Sequence, residues 1–410
     1  TEKTVLQASG SLGVGAFGSR PAMTVEVGAD VSRGEIAVGL GGRLRLLAGS
    51  GLREEDWDEP SEGASLIRYA TIRHRANTKA ELSYSLALGP QAEAWLGHGS
   101  LVAGYTAGLD ADHGRSGLSC RLASEKLQLE ALADDLVGPR IMAARAAWNV
   151  AGRLWLGGTL ALDRSAPDGT GASQAVPAAA IDAELSSGSS LGVVTNGWTG
   201  SLIADLVVVG HRGAGLHLGG RARHARKGSI VLEGRGELRL GTDEYLPGWF
   251  SPLYELSRAH FGLERAVPGE TQLRVTGEGK LGGLGTRFEV KAGWQDLGEI
   301  AMAYEARAGT RDLLVAKLAF DGRRAAQIGF WLAAELADSG IDGGGGGSDE
   351  YSSYDGGPRL AGAAVFEGRI RLPGAVFLSL DIARLYQEDE RHFLIPIWIA
   401  SIATGLALGD

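Results

Sequence analysis

Three short clusters hold the residue types that could do chemistry. His98 sits in Leu96-Gly97-His98-Gly99-Ser100-Leu101, where an imidazole beside a hydroxyl could act as base and nucleophile. No G-x-S-x-G elbow frames that serine, so a turn or an inward-facing position explains the cluster better. Asp110, Asp112 and His113 spell D-x-D-H, the start of a hard-cation loop. The remaining ligand spacing is absent, and a solvated polar turn accounts for it. His211, His217 and His224 do not share one parity along the chain, so they do not compose a metal triad. The run Gly279-Lys280-Leu281-Gly282-Gly283-Leu284-Gly285 fits neither G-x-x-x-x-G-K-[ST] nor a strand–G-x-G-x-x-G–helix context, and reads as a hairpin turn. The single cysteine, Cys120, excludes a disulfide framework and a cysteine zinc cluster. No enzyme, cofactor or metal is expected from these residues.

Far more charge is laid out at alternate positions. Arg43 and Arg45 oppose Ile36, Val38, Leu40, Leu44 and Leu46. Arg221 and Arg223 oppose Leu216, Leu218 and Ala222. Glu233, Arg235, Glu237 and Arg239 oppose Ile230, Leu232, Leu238 and Leu240. Arg274, Glu278 and Lys280 oppose Leu273, Val275 and Leu281. Glu367, Arg369 and Arg371 oppose Phe366, Ile370 and Leu372. These charges share one face of a period-2 pattern, and rings of charge tune ion preference in a pore. The bland reading is that they pair with one another and solvate a wall.

The elements that must carry such a pattern are strands. Alternation recurs in segments of about 9–13 residues, longer than the 5–6 usual in globular strands. Dividing the chain by about 20 residues per strand and connection gives roughly 16–22 strands. Turn chemistry at Arg33-Gly34, Gly89-Pro90 and Pro373-Gly374 punctuates the run. The best helical candidates, Leu127–Val137 and Ser251–Glu264, are short. Longer polar loops are expected at 49–63, 163–177, 241–269 and 338–358. The third holds Tyr245, Trp249, Phe250 and Tyr254, the most aromatic loop, which suits a constriction or a partner-docking surface. The stretch Phe393–Gly409 is uncharged and reads as the closing strand, with a helix as the alternative.

Composition narrows the class. Glycine is 64 of 410 residues without a G-X-Y period, so collagen is excluded. Hydrophobic residues at 44% exclude wholesale disorder. A net charge of -9 with both signs scattered excludes nucleic acid as the main partner.

Long alternation with charge on one face and aliphatic side chains on the other is what a membrane barrel needs. Lipid faces the apolar side, water the polar side, and the sheet must close so that every backbone group is paired. By this pattern the whole chain, 1–410, resembles the bacterial outer-membrane β-barrel proteins, porin-like in size. The resemblance implies an all-β, closed antiparallel transmembrane barrel as one unit. It also implies a Gram-negative outer membrane with its lipid, an export signal already removed, and insertion by the barrel-assembly machinery. The expected function is a channel passing small polar solutes or an exported polymer. A structural barrel bound to envelope protein partners in a motility, secretion or export complex is the alternative. One departure is the end of the chain, Leu408-Gly409-Asp410, where such barrels often finish on an aromatic residue.

Overall fold

A computed structural model describes residues 4–58, 60–74, 82–90, 93–107, 115–167, 173–187, 197–210, 213–226, 230–242, 245, 248–252, 254–255, 283–294, 297–306, 313–321, 330–338, 362–371, 376–388 and 394–408. The chain opens with β1 (Thr4–Phe17), β2 (Arg20–Arg33), β3 (Ile36–Leu47) and the short β4 (Gly51–Leu52). Next come β5 (Ile67–His74), β6 (Ser83–Gly89), the short β7 (Ala94–Trp95) and β8 (Ala103–Tyr105), then β9 (Gly117–Ala123), β10 (Leu127–Ala133) and β11 (Ile141–Asn149). The middle holds β12 (Leu154–Pro167), β13 (Ser173–Ser186), β14 (Gly197–Val209), β15 (Ala214–Ala225), β16 (Ile230–Gly241) and β17 (Gly283–Trp294). The chain finishes with β18 (Gly298–Ala306), β19 (Leu313–Asp321), β20 (Phe330–Asp338), β21 (Gly362–Arg371), β22 (Val376–Glu388) and β23 (Leu394–Leu408).

Leaving out β4, β7 and β8, each strand pairs antiparallel with the next, giving a 20-strand sheet. The first strand also pairs with the last, Ala8 opposite Leu408 through Phe17 opposite Ile399, so the ring of pairings is complete. The expectation of roughly 16–22 strands holds. The strands β7 and β8 pair only with each other.

The alternation decides what faces where. Leu160, Ile181, Leu202 and Phe288 point outward, and each is more than half exposed. Their neighbours Thr159, Asp182, Ser201 and Arg287 point inward and are buried. Such aliphatic exposure repeats on β1–β3, β14–β18 and β22–β23, and a continuous apolar belt of that extent belongs in lipid. Among the described residues no helix is long and apolar enough to cross a membrane; a closed sheet crosses with strands.

Antiparallel order puts successive connections at opposite ends. Short turns such as Gly34-Glu35, Ser124–Lys126 and Val150–Arg153 lie at one end, together with both termini. The described residues between β3 and β5, between β6 and β9 and between β16 and β17 follow or precede strand ends at the other. The expected loop at 49–63 and the described part of 241–269 therefore share one rim, whereas 338–358 lies, but for Asp338, outside the described residues. Trp148, Trp198 and Trp294 are exposed on the outer face near the short-turn end, where an interfacial girdle would sit.

Several expectations need correction or placement. The stretch 163–177 is mostly strand: β12 and β13 pair Asp163 with Val176 and continue to Pro167 and Ser173. Leu127–Val137 is not a helix but β10 and the turn after it. Its inward Leu132 is apolar because it meets the core inside the barrel, and that broke the alternation. Trp95 lies on the inserted pair β7–β8, and Trp155 points inward and is buried. Most of Ser251–Glu264, the Asp110-Asp112-His113 cluster and His211 lie outside the described residues. The stretch Phe393–Gly409 is strand from Leu394 to Leu408, hydrogen-bonded to β22 on one side and β1 on the other.

Candidate functional site

Two stretches leave the wall and fold inside the ring. The first runs through residues 93–107 and carries β7 and β8. The second comprises the described residues between Gly241 and Gly283. Val102 pairs with Phe250 in an isolated bridge, and the Phe250 amide donates to the Leu101 carbonyl at 2.8 Å, so the two stretches join. Around that junction Leu101, Val102, Tyr105, Tyr245, Trp249, Phe250 and Tyr254 are buried. They pack against inward Ile141, Ala143, Val176, Val207 and Val209, which is where the wall gives up charge for small aliphatic side chains.

Polar contacts then pin these segments around the wall. Glu130 of β10 accepts from the Gly97 amide at 2.8 Å. His98 Nδ1 lies 2.9 Å from Asp205 of β14, and its Nε2 lies 3.2 Å from Glu184 of β13. Arg235 of β16 donates to the His98 carbonyl. The Arg287 guanidinium stacks 5.2 Å from the Trp95 ring. Glu93 pairs with Lys317 of β19, far along the ring. On the second segment, the Tyr245 hydroxyl lies 2.8 Å from His217 Nε2, and the Tyr254 hydroxyl donates to Asp163 at 2.8 Å. Glu255 meets Arg140 at 2.9 Å and Arg115 at 3.4 Å.

Burial shapes the ionisation of these loop groups. Desolvation opposes charging of His98, but the hydrogen bonds to Asp205 and Glu184 outweigh it and hold the pKa at about 9. Asp134, just past β10, is pushed up to about 7 by burial, against the lowering effect of the Ile141 amide. Burial, then the charge of Glu255, raise the Tyr105 phenol well above its ordinary value.

The wall below carries a ladder of paired charges. Arg221 meets Glu184 at 3.1 Å and Arg223 meets Glu233 at 2.7 Å. Arg235 and Arg239 share Glu237. Arg239 and Arg287 share Glu305 at 2.8 and 3.1 Å. Lys291 meets Glu299 at 2.9 Å. On the opposite arc Arg43 pairs with Glu26, and Arg45 meets Asp56 at 2.7 Å beside the Phe17 ring. Glu367 of β21 is exposed and has a partner. Arg369 and Arg371 follow it in β21, but their side chains, like all of Arg274, Glu278 and Lys280, lie outside the described residues.

The sequence reading missed the first inserted segment and its wall partners Glu130, Arg145, Asp182, Glu184 and Asp205. One signal was available. Gly97 and Gly99 flank His98 with positive φ, and a Cβ on Gly97 would sit 2.4 Å from Arg145 Nε. Close approach of that kind marks a loop pressed on a wall. Both His98 nitrogens face carboxylates, so no Ser100–His98 pair exists. Of the later histidines, His217 is inward and fully buried, while His224 lies on the outer side against Trp198. A cavity of about 240 Å³ lies between the inserted segment and the wall, lined by Ser85, Glu93, Trp95, Arg121 and Glu130.

No family model matches the chain, and no curated protein matches it. Solved structures do. It is similar to the outer-membrane protein OprD from Pseudomonas aeruginosa, at 11% identity over 99% of this chain and 94% of that one, with a TM-score of 0.36. OccK9 (OpdG) from Pseudomonas aeruginosa matches at 12% identity, over 100% and 98%, with a TM-score of 0.37. OccAB3 from Acinetobacter baumannii matches at 8% identity, over 100% and 99%, with a TM-score of 0.35. At such identities the likeness concerns fold alone.

Proposed function

We propose that this chain is an outer-membrane channel for small polar solutes, narrowed from its long-loop end by the two inserted segments. The observation that carries the reading is exposure on the inside. The side chains of Arg43, Arg121 and Arg221 point inward, yet 54%, 57% and 55% of their surface remains accessible. A barrel filled by its own loops would bury them. Accessible charge inside a closed ring means water beside it, and a water-filled passage with charged walls passes polar solutes and selects among ions.

In this reading Arg43, Arg45, Arg221, Arg223, Glu233, Arg235 and Glu367 line the passage, Glu237 and Arg239 are buried away from it and brace the wall, and Tyr245, Trp249, Phe250 and Tyr254 build its constriction. Residues 1–410 act as one barrel, inserted into outer-membrane lipid by the assembly machinery. The test is single-channel conductance of the folded protein in a planar bilayer. Stable steps with an ion preference are expected.

A second reading has its own support. The inserted segments are held by buried charge pairs, as a permanent plug would be, and a non-conducting barrel could serve as a scaffold for envelope partners. Insertion without conductance would favour it and overturn the channel.

A further inference from the structure

His98 stands between carboxylates on both edges of its ring. Glu184 Oε2 lies 3.2 Å from His98 Nε2, and Asp205 Oδ1 lies 2.9 Å from Nδ1. An imidazole packed this closely between buried carboxylates calls for a cation at the His98–Asp205 contact, either a ring proton or a metal ion. Asp205 is 1% exposed, and its second oxygen, Oδ2, is buried without a hydrogen-bond partner. Asp182, on the neighbouring strand, brings another carboxylate: one ligand atom from each of His98, Asp182 and Asp205 lies within 4.8 Å of the other two.

We propose that His98 Nδ1, Asp205 and Asp182 form a binding site for a divalent first-row transition metal, with Zn²⁺ the best fit. Metal–ligand bonds of about 2.0–2.2 Å in a tetrahedron set ligand atoms about 3.3 Å apart. The 2.9 Å between His98 and Asp205 needs only a few tenths of an ångström to open to that edge. The supporting shell is built as such sites require. A carboxylate, Glu184, holds the far nitrogen of the ligating imidazole. Arg145 grips Asp182 through Nη2 at 2.6 Å and Nε at 3.1 Å, orienting a carboxylate whose oxygens keep lone pairs to spare. An imidazole with two carboxylates suits zinc, whereas calcium needs six to eight oxygens. Bound there, the ion would clip the inserted segment to β13 and β14. The site stands whether or not the barrel conducts.

The experiment is equilibrium dialysis of the detergent-folded full chain against Zn²⁺, with bound metal measured by atomic emission, and against Co²⁺, read by visible absorption. One equivalent per chain is expected, with the intense bands of low-coordinate Co²⁺. His98→Gln and Asp205→Asn should each remove it, while His74→Gln and His224→Gln should leave it intact. Heat-modifiable gel migration establishes that each variant is folded. Should His98→Gln not fold, X-ray absorption at the zinc edge of the wild type decides: one imidazole among oxygen ligands supports the site, and a shell of several imidazoles or of oxygen alone overturns it. Absence of stoichiometric binding, or binding that survives both substitutions, also overturns it and leaves a proton as the cation between His98 and Asp205.

Discussion

The Tyr105 hydroxyl donates to Glu255 Oε1 at 2.7 Å, tying one inserted segment to the other. Both residues are buried, and Glu255 is also the partner of Arg140 and Arg115. An interior assembled this way resists being pulled open, because each broken contact strands a polar group away from water at a cost of about 1–3 kcal/mol.

Loosening that tie should be audible in single-channel records. Tyr105→Phe removes one bond, whereas Glu255→Gln takes the nearer carboxylate from two guanidinium groups and leaves Arg140 and Arg115 only Asp134, at 3.6 and 4.0 Å, so the second should give the noisier current. Replacing 94–106 by a short Gly-Ser bridge should raise conductance about twofold or more, since a constriction sets the resistance of a pore. An unchanged conductance would place the ion path away from these segments.

Asp134 makes stability pH-dependent in an unusual direction. Its folded-state pKa of about 7 exceeds the ordinary 3.8, so the folded protein holds a proton that the unfolded chain has released. Stability should fall as pH rises from about 4 to about 7 and stay low above that. Asp134→Asn keeps an oxygen for the Arg140 and Ile141 amides, each at 2.9 Å, and carries no charge. Urea unfolding of the two proteins should differ at neutral pH, with the variant the more stable, and converge below about pH 4.

The two faces of the wall should answer mutation differently. Leu202→Arg puts a charge on the outer face of β14 and should cost about 2–4 kcal/mol if it reaches the bilayer midplane. Arg221→Ala, on the inner face of β15, should leave the folding free energy nearly unchanged because its partner Glu184 keeps His98. Equal costs for both would contradict the lipid-facing assignment.

Charge reversal at accessible inward positions should move ion preference. Arg43→Glu and Arg121→Glu are expected to shift the reversal potential under a salt gradient toward cation selectivity, additively if both lie along one path. A reversal potential unmoved by either would mean that ions never pass those walls.

Gly15 belongs to the seam between β1 and β23, and a Cβ there would stand 1.7 Å from the Ala400 carbonyl oxygen. Gly15→Val should therefore block closure, seen as loss of the heat-modifiable band. Gly293→Ala, in open space on β17, should keep that band.

Much of the wall was legible from residue order alone, because lipid and water impose opposite demands on alternate positions. Leu216, His217 and Leu218 or Leu238, Arg239 and Leu240 show the pattern at its plainest. It faded wherever a third environment intervened. Leu132, Ile141, Val207 and Val209 face inward yet are aliphatic, since they meet the inserted segments and not water. The segments themselves were hard to see: Ala94-Trp95 and Ala103–Tyr105 are strand-like, but they pair with each other and not with the wall. The cluster around His98 joins residues 86 and 107 positions apart, a separation no local spacing can announce.

The pairing of Ala8 with Leu408 also bears on how the molecule comes to exist. Until β23 arrives, β1 presents a bare edge, and so does whichever strand was laid down last. Every other pairing in the wall joins strands near in sequence, whereas this one waits for β23 and carries the largest loop-closure entropy. Closing the ring is thus a zipper that cannot start before β23 is made and in place, and an escort that shields two sticky edges until then would govern its yield.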